Sequence, residues 1–127
     1  MSNISYSAVV LDNRSKQRLI EKFKSVIPED WEILGDHMTI NMGELDSKYE
    51  KFLGLPVHLN VNEIAMNDKV IAVGVSGFES NNAKSHITLA VNRKNSGKPM
   101  MSNTLTNWEK IKIPLLLTGK VTEIEYK

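Results

Sequence analysis

The chain contains no cysteine. That absence removes disulfides, thiolate zinc sites and a cysteine nucleophile together, and it fits a reducing, cytoplasmic location. No apolar run approaches the ~20 residues of a membrane-spanning helix. The opening stretch MSNISYSAVVLDNRS has no basic region ahead of its apolar residues, so no membrane partner and no leader are expected. Charge of one sign is lacking as well: 16 basic against 15 acidic side chains create no field for gripping a long polyanion, which leaves a small phosphate ligand or a chain end. Histidine is scarce, with three in 127 residues.

What is there suits one globular domain, since 127 residues with 41% apolar side chains can bury a core without staples. The stretch 5–11 predicts a strand, and 12–27 a helix with Leu19, Ile20, Phe23 and Ile27 on one face, Asp12 or Asn13 at its start and Pro28 at its end. Residues 36–42 predict a second strand, and 44–55 a short helix or ordered loop. VHLNVNEIAM and KVIAVGVSGF alternate on either side of the turn signal NDK, a hairpin pattern. Another strand covers 86–91, a polar segment covers 92–107, and LLLTGKVTEIEYK suggests one bent or interrupted strand. Six or so strands with one clear helix predict an α+β domain.

The chemistry lies in a repeat. GDHMTINMG places His37 and Thr39 on one face of a strand, with Met38 and Ile40 on the other. KSHITLAVN repeats the pattern 49 positions on, with His86 and Thr88 in the same register. With six threonines in the chain, chance would put Thr two positions after two of three histidines in roughly 1% of such sequences. A neutral imidazole can take a proton from water while a protonated one gives a proton to a leaving oxygen, and both titrate near neutral pH. Two hydroxyls beside them can hold the nonbridging oxygens of a phosphodiester. Asp36, Asp46 and His58 are the candidates for a third metal ligand, but none has a persuasive spacing, so neither a metal nor any other cofactor is expected. Asp36 would point away from His37 if the strand includes it.

In this order, the segments YSAVVLDNRSKQRLI, DHMTINMG, SHITLAVN and GKPMMSNTLTNW resemble the 2H, or two-histidine, phosphoesterase superfamily. They are similar to its Swiss Army Knife RNA-repair-like branch, related to the cyclic phosphodiesterase domain of fungal tRNA ligases. The resemblance runs from about Tyr6 to about Gly119. It implies an α+β fold of two lobes, with antiparallel-rich sheets around a central cleft and one motif on each lobe. It also implies His37 and His86 as the acid and base pair, Thr39 and Thr88 as phosphate clamps, and the opening of 2′,3′-cyclic phosphates on nucleotides or RNA ends, commonly to a 2′-phosphate. Related hydrolysis of cyclic nucleotides belongs to the same expectation. The compact chain departs from larger members, which puts long RNA-binding surfaces in doubt.

Further candidates lie outside the motifs. In the loop 92–103, Lys98 can bring an ammonium to the phosphate, and Ser102 and Asn103 can bond the loop or a base edge. The competing reading is a solvated turn in which Ser102 or Asn103 caps a short helix running through Trp108. Arg93 and Lys94 share that ambiguity. Tyr6 can stack on a base or simply pack, and His58 sits on a polar face with Asn60 and Asn62, where a solvated role is expected. The expectation is a metal-independent cyclic phosphodiesterase acting as a monomer. Its alternatives are a hydrolase of cyclic di- or oligonucleotides and a pocket that binds a nucleotide or RNA end without turnover.

Overall fold

In a computed structural model, which describes residues 3–126, the described residues form seven strands, one α-helix and four short 3₁₀ turns. The first strand, β1, covers Ile4–Leu11, and the helix, α1, covers Asn13–Phe23. Asp12 caps the helix, its Oδ1 accepting from the Ser15 N–H at 2.7 Å. The expected helix to residue 27 is too long. Pro28 disfavours helical backbone at the residue before it, Ile27 is extended, and Lys24–Val26 tightens into a 3₁₀ turn. Leu19 and Phe23 are buried in the same core cluster as the interior strand residues Val9, Met38 and Ile87. No helix among the described residues is long and apolar enough to cross a membrane.

The remaining strands are β2 (Glu32–Ile33), β3 (His37–Met42), β4 (Pro56–Met66), β5 (Val70–Ser76), β6 (His86–Val91) and β7 (Glu109–Glu125). Segment 44–55 contains a 3₁₀ turn at Ser47–Phe52. β4 and β5 form the expected hairpin. The last strand begins earlier than expected and is irregular. Val61 pairs with Leu115 but Glu63 with Lys110, so residues 111–114 stand opposite Asn62 alone. Pro114, which has no N–H for the ladder, falls in that bulge.

The strands run β6-β3-β1-β7-β4-β5, and β5 pairs again with β6, closing a six-stranded antiparallel barrel. This overturns the expected α+β, two-lobed architecture: there is one closed sheet with one short helix, and both His-x-Thr motifs lie on neighbouring strands of it. Closure leaves one interior, filled by the inward residues of every strand. Met38, Ile40, Ile87 and Leu89 are among its fully buried side chains, each contributing roughly 1.5–3 kcal/mol by leaving water.

β2 and β3 lie end to end along one edge of β6. Between them the N–H groups of Leu34 and Gly35 donate to the carbonyls of Leu89 and Thr88 at 2.8 and 3.0 Å. Gly35 achieves this at φ +64°, a conformation that costs glycine little and other residues more.

Candidate functional site

Met38 pairs with Ile87 where β3 meets β6. In an antiparallel register that sets His37 across from Thr88 and Thr39 across from His86. Because Met38 and Ile87 point into the core, their neighbours point outward. His37, Thr39, His86 and Thr88 accordingly line one cavity of about 490 Å³ on the outer wall of the barrel. Tyr6 reaches it from β1. There Ser7 pairs with Asn41 and Ala8 with Thr39, so β3 carries one extra residue, and this bulge brings Met42 onto the face of Thr39. Tyr6 and Met42 are paired across the strands, and both line the cavity.

The two imidazoles differ. The His37 ring lies 5.1 Å from the Tyr6 ring, with planes inclined by 34°. Burial pushes its pKa below the ordinary value; Asp36 opposes this and the neighbouring His86 adds to it. Burial, and then Asp36, raises the Tyr6 phenol. His86 is anchored at Nδ1, which lies 2.8 Å from the Lys84 carbonyl. A carbonyl only accepts, so Nδ1 carries the hydrogen and Nε2 remains for chemistry.

The threonines differ too. The Thr39 side chain makes no hydrogen bond among the described residues, while its carbonyl accepts from the Ser80 hydroxyl at 2.8 Å. Next to it the Ile40 carbonyl accepts from the Asn81 N–H, also at 2.8 Å. These bonds draw the β5–β6 loop across β3 and deliver Asn82 to the cavity. The Thr88 Oγ1 is 2.8 Å from the Ser102 hydroxyl and 3.3 Å from the Pro99 carbonyl.

The 92–104 segment divides. Asn103 lines the cavity, as do Pro99 and Met100. Ser102 does not: it is buried beneath Thr88, where it can position that hydroxyl. Lys98 is exposed and lies outside the cavity wall. The preceding residues are pinned to the β4–β5 turn, with Asn92 N–H bonded to the Lys69 carbonyl and Lys69 Nζ to the Asn95 carbonyl. Gly97 permits the close approach, since a Cβ there would lie 2.3 Å from the Lys69 carbonyl oxygen. The competing reading is not realised: a 3₁₀ turn covers Pro99–Thr104 without a side-chain cap, and no helix follows through Trp108. Arg93 bonds Glu32, and Lys94 lies 3.5 Å from Asp30.

Asp36 falls just before β3 rather than within it. It lines the same cavity as His37 instead of pointing away, and it forms an ion pair with Lys16. Asp46 lines an adjoining cavity, and His58 is exposed, 3.2 Å from Thr118 Oγ1. No group of three His, Asp or Glu residues suited to a metal occurs among the described residues. Sequence reasoning missed Leu34, Met42, Asn82 and Met100 in the wall. The two methionines are 75% and 72% exposed and add apolar surface beside the polar groups of the cavity. No protein-family model matches this chain, and no curated protein matches it.

Proposed function

We propose that the protein is a metal-independent phosphoesterase of the two-histidine type, hydrolysing 2′,3′-cyclic phosphates on nucleotides or RNA ends. The observation that supports this is the convergence of both His-x-Thr motifs on one cavity. The proposal rests on the motifs and their chemistry, without two lobes. All four groups come from one chain, so a monomer suffices, and the missing cysteines suit a cytoplasmic setting.

The environments suggest an assignment of roles. His37, held neutral by burial, takes the proton from the attacking water. His86 donates a proton from Nε2 to the leaving O3′ while its Nδ1 stays bonded to Lys84. A P–O bond forms to water, the P–O3′ bond breaks, and a 2′-phosphate with a free 3′-hydroxyl results. Thr39 and Thr88 donate to the nonbridging oxygens as charge gathers there. Tyr6, Met42 and Met100 offer an apolar rim around the phosphate position.

The experiment offers purified protein a panel of 2′,3′-cyclic mononucleotides, a cyclic-phosphate RNA and cyclic dinucleotides. Turnover of the first two is expected, with His37→Ala and His86→Ala each lowering it by a factor on the order of 100 to 10,000. The double variant should be little worse than either single one, because the pair acts as a unit. Full activity in either folded single variant would falsify the assignment.

A further inference from the structure

A second cavity, about 460 Å³, adjoins the first, and Thr39, Met42 and Asn82 line both. Both volumes fall in the range of small-molecule sites. The outer wall of the second cavity is a folded structure. Buried Asn41 donates from Nδ2 to the carbonyls of Met42 and Glu44 at 2.9 and 2.6 Å, and its Oδ1 accepts from the Asp46 N–H at 3.1 Å. The Leu45 N–H is bonded to Glu123 at 2.9 Å. Residues 42–46 are thus held back against the barrel, with the exposed Glu44 side chain free of any hydrogen bond or ion pair among the described residues. The opposite wall carries Asn81 and Asn82, held through Ile40 and Ser80.

The composition of this cavity selects its occupant. Glu44 and Asp46 line it, and neither lysine nor arginine does. The Asp46 Oδ1 already accepts from the Lys48 N–H, which leaves Glu44 as the unengaged acid, and a second phosphate would meet like charge. A neutral ring with N–H donors would meet acceptors. Among the nucleobases, guanine presents two adjacent donors, N1–H and the N2 amino group, that match the two oxygens of one carboxylate. Uracil offers a single N–H between two carbonyls. Because Thr39 lines both cavities, such a base would adjoin the proposed phosphate position.

We infer that the second cavity is a base-recognition subsite that favours guanine, with Glu44 as its specificity-determining residue. This rests on the phosphoesterase reading for the position of the phosphate. The subsite also argues against cyclic dinucleotides, whose second phosphate would face Glu44 and Asp46.

Calorimetric binding of guanosine 2′-monophosphate and uridine 2′-monophosphate tests it, alongside kcat/KM for the two 2′,3′-cyclic nucleotides. Wild type should bind the guanosine compound about tenfold more tightly, the discrimination typical of a two-point contact to a base edge. Glu44→Gln should bring the ratio near one through weaker guanosine binding. Equal binding in wild type, or a ratio kept by Glu44→Gln, overturns the inference. Guanosine-selective binding that Glu44→Gln abolishes, without turnover of any cyclic substrate, leaves the subsite standing and removes the hydrolase reading. Turnover without base selectivity does the reverse.

Discussion

Tyr6 packs its ring against that of His37, joining β1 to β3 over the candidate base at a centroid separation of 5.1 Å. The contact helps keep water from an imidazole whose pKa burial holds down. A general base works only when neutral, so the rate should fall with decreasing pH through a limb below the ordinary imidazole value of ~6.5. Tyr6→Phe should leave that limb in place, and Tyr6→Ala should raise it by admitting water. The pH profile of kcat/KM, with NMR titration of the imidazole, checks both. An unmoved limb in Tyr6→Ala would mean that other walls of the cavity dehydrate His37.

The same shift has a consequence for folding. The unfolded chain binds a proton at position 37 more readily than the native one, because the native pKa is the lower of the two. Stability contributed by neutral His37 is therefore complete above the unfolded value and is lost as pH falls through the window beneath it. Denaturant midpoints should decline as pH falls below the ordinary imidazole value of ~6.5, and His37→Ala should flatten that decline. An identical slope in the variant would assign the loss to other groups.

Ser102 should act through Thr88. If Ser102 donates to Thr88 Oγ1, the Thr88 proton is released from the 3.3 Å contact with Pro99 and can turn to a phosphate oxygen. Thr39→Ala and Thr88→Ala should each cost roughly 10- to 100-fold in kcat, from ~1.5 to 3 kcal/mol per bond to a charged oxygen. Ser102→Ala should cost less and should have no further effect once Thr88 is alanine. Additive losses in that double-variant cycle would give Ser102 a role of its own.

Activity on a cyclic phosphate should survive excess chelator. The nearest carboxylate to the histidine pair in sequence, Asp36, is already engaged by Lys16, and no suitable trio of ligands occurs among the described residues. Rates measured in EDTA, with and without added zinc or manganese, are the check. Loss in chelator with recovery on metal addition would redirect attention to Asp36.

Much of the site was legible because strand alternation is a local property. His37 with Thr39, and His86 with Thr88, could be placed on polar faces from residue types alone, and their inward partners Met38, Ile40, Ile87 and Leu89 are buried. Partner order is not local. Nothing in KVIAVGVSGF states that it pairs with HITLAV as well as with its own hairpin neighbour, and that second pairing converts an expected pair of lobes into a barrel. Asn82 was invisible for a related reason: it reaches the cavity through backbone bonds between the β5–β6 loop and β3. Lys98 was the opposite case, a loop cation of plausible chemistry that lies outside the cavity wall.

A ring of strands joined by hydrogen bonds all the way round has no hinge between its two histidines. The distance between them is set by the frame and cannot be adjusted by domains swinging together when ligand arrives, so alignment must be present before the encounter. Turnover should accordingly be indifferent to crosslinks that immobilise distant parts of the barrel, and sensitive to small changes in the girth of the interior pair Met38 and Ile87, which spaces the two motifs.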